Sequence, residues 1–345
     1  MYEAYYGLRE RPFDLTPNPR YLLMTSSHRE ALSTIQYGLS GRKGITLLLG
    51  PAGTGKTTLV HAALEHPHDN VKVLCLTNPM LSREEFFEFL TIEFGLDEAL
   101  SKSKTLVLVE LRRILRERRE AGGFTALIID EAQAMSHALL EEVRLLTNLE
   151  TSTEQLLSIV LVGQVELADR LNEPKLHQLK QRVALRSKLS PLTVQEATAY
   201  ITERIRIAGG DVSSIFSRDA IAAIYECSRG IPRTISVICD NALVSGFAID
   251  QRPVGRAIIA EVARDFDFAA PRRQDVASGD GTSVALRAGA DAVDPAKLRP
   301  VSQRLLAPAV PLGRHALPDE GSAPAKVDRP VRRGLLSLFA RTANR

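Results

Sequence analysis

Two short runs hold the residues best suited to chemistry. Gly50-Pro51-Ala52-Gly53-Thr54-Gly55-Lys56-Thr57 matches the pattern G-x-x-x-x-G-K-[ST], and Thr58 continues it. The glycines let the backbone wrap tightly, so successive N–H groups turn inward toward phosphate oxygens. Lys56 supplies a point charge for the β- and γ-phosphates, and the Thr57 hydroxyl is placed to bind Mg²⁺. The second run is Thr125-Ala126-Leu127-Ile128-Ile129-Asp130-Glu131, an apolar strand ending in two carboxylates. Asp130 is expected to hold Mg²⁺, directly or through water, and Glu131 to orient and polarise an attacking water as general base. The pair of runs predicts a site for ATP and Mg²⁺ that hydrolyses the nucleotide.

Three more polar residues join this set. Gln164 follows the apolar run Leu157–Val162, which is expected to lie between the other two strands, so its amide can help fix the water. Arg182 ends the α/β region, where an arginine can reach a neighbour's nucleotide and stabilise transition-state charge. Arg186 is its rival, expected one helical turn on. Arg233, in Gly230-Ile231-Pro232-Arg233, opens a helix whose first position is fixed by Pro232, and should then face the phosphates.

These residues need a frame. Ile45–Leu49, Val71–Thr77, Thr125–Ile129 and Leu157–Val162 are apolar runs of strand length, and helical patterns alternate with them. That alternation predicts a parallel sheet with helices on both faces. Capping boxes are expected at Ser27/Glu30 and at Ser82/Glu85. From Pro191 the pattern turns all-helical, with helices over 194–208, 217–228 and 232–248. From Pro271 periodicity stops: this stretch has 8 of the 18 prolines, Phe339 as its one aromatic, and 13 Lys and Arg against 7 Asp and Glu. It reads as a disordered basic tail, either a solvated linker or a segment that meets anionic lipid or nucleic acid. Near its end, 331–341 places Leu335, Leu338 and Phe339 on one helical face between arginines, a short amphipathic segment able to touch a membrane reversibly.

Composition excludes several classes. Cys75, Cys227 and Cys239 are odd in number and widely spaced, so neither a disulfide framework nor a zinc site is supported, and three buried free thiols are expected. The first residues carry charges where a leader would be apolar, and no run approaches the roughly 18 apolar residues of a membrane span, so a cytoplasmic protein is expected.

The order phosphate loop, Asp130-Glu131, Gln164, Arg182 and Gly-Ile-Pro-Arg233 resembles the AAA+ superfamily. Tyr6-Gly7-Leu8, Pro12-Phe13, Thr16-Pro17-Asn18-Pro19-Arg20 and Ser27-His28-Arg29-Glu30-Ala31-Leu32 resemble the start of the ATPases of the general secretion pathway protein A type. Asp130-Glu131-Ala132-Gln133, Leu145–Thr151 and Cys239-Asp240-Asn241-Ala242-Leu243 do so too. The resemblance covers about residues 1–265. It implies an N-terminal segment (1–40) packed on an α/β ATPase domain (41–190), a helical lid (191–268) and a tail (269–345). It further implies an ATPase that assists an envelope assembly partner in a secretion, pilus or exopolysaccharide-export system; Arg182 points to a nucleotide-dependent homo-oligomer, and the tail to peripheral inner-membrane contact. The alternative is a DNA-associated AAA+ ATPase of the transposition-regulator type, for which the basic helix Arg112–Arg119 speaks.

Overall fold

A computed structural model of the chain describes residues 1–39, 44–65, 70–152 and 154–268. The expected disordered tail and its amphipathic end at 331–341 lie outside the described residues.

Five strands make one parallel sheet: β1 (Ile45–Leu49), β2 (Val71–Leu76), β3 (Phe124–Ile129), β4 (Leu157–Gly163) and β5 (Val183–Lys188), in the order β2-β3-β4-β1-β5. Leu49 lies opposite both Gly163 and Lys188, and Ile129 opposite both Leu76 and Leu161. Parallel strands need long crossovers, here supplied by helices. The first half of the chain contributes α1 (Glu3–Tyr6), α2 (Ser26–Leu39), α3 (Lys56–Leu64), α4 (Arg83–Phe94), α5 (Lys104–Glu120) and α6 (His137–Leu146). Then come α7 (Val165–Arg170), α8 (His177–Gln181), α9 (Val194–Ile207), α10 (Val212–Ile215), α11 (Arg218–Ser228), α12 (Pro232–Ala248) and α13 (Arg256–Asp265).

Side chains alternate across each strand, so each strand feeds two cores. Leu47, Leu127, Ile129, Ile159 and Leu161 pack with Phe86 and Leu90 of α4, Leu111 of α5 and Leu139 and Val143 of α6. Leu48, Ile128, Val160 and Val162 pack on the other face with Ile35 of α2 and Leu59 and Val60 of α3. The sheet is therefore covered on both sides, as the near-continuous apolar runs require. Buried Glu142 on α6 pairs with Arg83 of α4 and, at 2.7 Å, with Lys104 of α5, tying the three helices of one face together.

A third core belongs to α9–α13. Residues 1–40, expected to pack as one segment on the α/β domain, divide between two cores instead. Tyr2, Tyr6, Leu8 and Phe13 join Ile201, Ile238 and Leu243 in the helical core, whereas Leu22, Met24 and α2 join the sheet. The reason is polar as well as apolar: Tyr2 Oη donates to Asp240, Arg9 N donates to the Ala208 carbonyl at 2.8 Å, and Arg252 donates to the Tyr5 carbonyl at 2.8 Å.

Other expectations need correction. The box at Ser82/Glu85 is present, but that at Ser27/Glu30 is not. Helix α2 already begins at Ser26, and the Thr25 hydroxyl accepts from His28 N at 3.3 Å, doing the work expected of Ser27. Strand β5 replaces the expected continuation of a helix after Arg182, because an edge strand open on one face does not need an unbroken apolar run. Of the three thiols only Cys239 is buried; Cys227 is half-buried, and Cys75 is exposed because β2 is the other edge of the sheet. Among the described residues no helix is long and apolar enough to cross a membrane.

Candidate active site

Parallel register delivers the chemistry to one edge. Gly50 leaves the C-terminal end of β1, Asp130 that of β3 and Gln164 that of β4, and β4 lies between the other two. Gly50 N donates to the Gly163 carbonyl at 3.2 Å, which fixes the start of the loop beside Gln164.

The loop Gly50–Thr58 closes on itself before entering α3. Thr54 N and its hydroxyl both donate to the Pro51 carbonyl, at 3.4 and 2.9 Å, across Ala52. Gly53 and Gly55 adopt φ of +77° and +93°, which a side chain would resist. Gly53 is doubly constrained, since a Cβ there would lie 2.7 Å from Cβ of Arg233. Lys56 begins α3 and is buried, its Nζ donating to the Gly50 and Pro51 carbonyls at 3.0 and 3.1 Å. Burial pulls the Lys56 ammonium below the usual lysine value, against the opposing pull of Glu131, Asp130 and Glu166.

The Thr57 hydroxyl donates to Asp130 Oδ2 at 2.7 Å, so the two expected metal ligands already touch. A hydroxyl and a carboxylate oxygen suit a hard cation that takes its remaining ligands from phosphate and water. Among the described residues no group of three or more His, Cys, Asp and Glu gathers elsewhere to compete for a metal.

Glu131 has φ of +51°, a left-handed backbone unusual for a side chain of its kind. Its N–H donates to Asp130 Oδ1 at 2.8 Å, which helps to hold that conformation. Its Oε2 accepts from Gln133 Nε2, and from Gln164 Nε2 at 3.4 Å. Gln133 Oε1 in turn accepts from Gln164 N at 3.0 Å. Two amides therefore hold one carboxylate at the cleft. Such local strain persists only where the surroundings over-determine it, and it concentrates at functional sites.

A cavity of about 400 Å³ opens over the loop. Gly53–Thr58 and Glu131 line one end; Asp14–Asn18, Tyr21, Leu192, Tyr200 and Arg204 are among the residues lining the remainder. Arg233 lines it from α12, and its N–H donates to the Gly53 carbonyl at 3.1 Å, so the helical bundle touches the loop directly.

With this geometry, the comparison with known proteins is decisive. General secretion pathway protein A of Aeromonas hydrophila is 40% identical over 248 residues, covering 72% of this chain. The AAA domain family matches residues 39–171. The chain carries an AAA domain and is similar to general secretion pathway protein A. The match spans only 45% of that relative's length. Solved structures share the fold at low identity. The ORC2 protein of Aeropyrum pernix in ADPNP–ADP complexes gives a TM-score of 0.54 at 15% identity, over 74% of this chain and 71% of that one. Cdc6p of Pyrobaculum aerophilum gives 0.55 at 14%, over 74% and 70%.

Arg182 stands apart from the residues of the cleft. It caps α8 and opens β5, with Nη2 donating to Asn148 Oδ1 at 2.9 Å and its carbonyl accepting from Ile45 N at 3.1 Å. Since Ile45 begins β1 and Gly50 follows it, Arg182 is one strand length, about 16 Å, from its own phosphate loop. Its rival Arg186 is not one helical turn on but within β5, exposed.

Sequence reasoning passed over three residues. Gln133 stood in the Asp-Glu-Ala-Gln run, two places from Glu131, and that spacing was its signal. His28 stood in the Ser27–Leu32 run with no role given to it; it is buried, its Nδ1 2.7 Å from the Thr25 hydroxyl and its Nε2 3.4 Å from the Thr54 carbonyl of the loop. Arg204 offered no signal, because an arginine on a helix is ordinarily a solvated one.

Proposed function

We propose that this chain binds ATP with Mg²⁺ in the cleft over Gly50–Thr58 and hydrolyses it to ADP and phosphate. The observation that carries the reading is the Thr57–Asp130 hydrogen bond of 2.7 Å beside the strained Glu131. Backbone N–H groups of the loop and the N-terminus of α3 would cradle the phosphates, with Lys56 on the β- and γ-oxygens. Thr57 and Asp130 would hold Mg²⁺, which would supply positive charge against the phosphates. Glu131, set by Gln133 and Gln164, would take a proton from water as its oxygen bonds the γ-phosphorus and the bond to the β–γ bridging oxygen breaks. Arg233 would contribute charge from the bundle side.

Arg182 supports a second half of the proposal. It is too far along the sheet to serve its own cleft, which suits a residue offered to a neighbouring copy in a homo-oligomer. The relative's name supports a role in a general secretion pathway.

The test is phosphate release by the full chain over a range of protein concentrations, with and without DNA. Activity is expected to rise with concentration and to vanish in Lys56→Ala. Mixing Arg182→Ala with Glu131→Gln is expected to restore part of it, at interfaces where an intact Glu131 site meets an intact Arg182. Concentration-independent turnover with no such rescue overturns the shared site, absence of turnover overturns the hydrolase, and stimulation confined to DNA turns the reading toward a DNA-associated ATPase.

A further inference from the structure

Arg204 on α9 is a buried cation, 7% exposed, that makes no ion pair among the described residues. Its partners are the Pro12 carbonyl at 2.6 Å from Nε, the Asp14 carbonyl at 3.2 Å from Nη2, the Ser236 hydroxyl at 3.1 Å from Nη1 and the Tyr200 hydroxyl. Its guanidinium carbon lies 4.7 Å from the ring centre of Tyr21 and 5.2 Å from that of Tyr200. An arginine stays charged in any protein, and desolvating that charge without a counter-ion is costly. An apolar side chain of like volume would fill the space without that cost. What an apolar residue would not do is hold two carbonyls of one segment in a fixed direction, which the planar guanidinium fork does.

The two carbonyls immediately precede the stretch Leu15–Asn18, which lines the cleft. Among the described residues, no other charged side chain lining that end of the cavity is buried. The phosphate end is set by Lys56, Thr57, Asp130 and Glu131, so the nucleobase of a bound nucleotide falls against the N-terminal segment. Through Ser236, Arg204 also joins α12, the helix that carries Arg233 and touches Gly53. A continuous series of bonds thus runs from the phosphate loop through α12 and Arg204 to the wall formed by residues 14–18.

We infer that Arg204 is a positioning residue that sets base selectivity: it fixes the Pro12–Asp14 backbone so that Leu15–Asn18 form the nucleobase wall. The inference rests on the nucleotide-binding reading. It concerns recognition of the base and leaves the phosphate end alone.

The experiment is calorimetric binding of ATP, GTP and inorganic tripolyphosphate, each with Mg²⁺, to the full chain and to Arg204→Met and Arg204→Lys. Lysine keeps the buried cation but cannot span both carbonyls, so it carries the same comparison should the methionine variant not melt cooperatively. The wild type is expected to prefer ATP. In the variants ATP affinity is expected to fall about tenfold and the ATP:GTP ratio to approach one, with tripolyphosphate affinity unchanged. An unchanged ratio, or equal losses for ATP and tripolyphosphate, overturns the assignment of Arg204. A wild type that binds neither ATP nor tripolyphosphate overturns the nucleotide reading itself.

Discussion

On one side of the cleft, Lys56, Thr57, Asp130, Glu131 and Gln164 follow the ends of β1, β3 and β4. They are held by a sheet whose every strand is paired, and by short bonds among themselves. On the other side, Arg233, Arg204 and residues 14–18 belong to a helical bundle and a segment from the far end of the chain. Within the cleft the two sides meet where Arg233 N reaches the Gly53 carbonyl. The first side is built on paired strands; the second reaches the loop through the start of α12.

The largest expected effect tests whether chemistry belongs to the sheet side alone. Glu131→Gln is expected to cut kcat by at least about 100-fold with ATP affinity retained, measured by phosphate release beside equilibrium binding. Arg233→Ala is expected to raise KM more than it lowers kcat. If the two variants give the same split, the division between the sides fails.

Next in size is the point of contact. Gly53→Ala forces a left-handed φ and a clash with Arg233, costing about 1–3 kcal/mol by strain. Thermal melting of the wild type and variant would show it, and activity should fall with it. A variant of wild-type stability would mean that the loop and bundle are not in register as described.

The smallest effect concerns His28, packed against the loop from the sheet side. Burial lowers its pKa below the ordinary value, with the Thr54 carbonyl opposing. The unfolded chain therefore takes up this proton more readily than the folded one, and stability is lost as pH falls below about 6.5. His28→Gln is expected to flatten the fall in melting temperature between pH 7 and 5.5 by about 2–4 °C. An unaltered slope would remove His28 from the titrating groups.

The same division explains what the sequence revealed. The phosphate loop and the run ending in Asp130-Glu131 are contiguous, so residue type and spacing sufficed for that side. Strand β5 stayed hidden because Ala184, Arg186 and Lys188 face solvent, leaving no apolar run. Helix α13 begins at Arg256 after Gly255, which has no side chain to cap it. Arg204 meets the carbonyl of a residue 192 positions earlier, and no local pattern encodes such a partner.

The seating of Tyr2, Tyr6, Leu8 and Phe13 against α9–α13 has a consequence for biosynthesis. These side chains are made before the elements they pack on, since Ile259 and Val262, in the same core, follow some 250 residues later. At about 5–20 residues per second that is a wait on the order of ten to fifty seconds. For that time four large apolar side chains lack their partners and the cleft lacks one wall. The cleft is thus complete only after synthesis has passed α13, and a nascent chain stalled before then should be a substrate for chaperones.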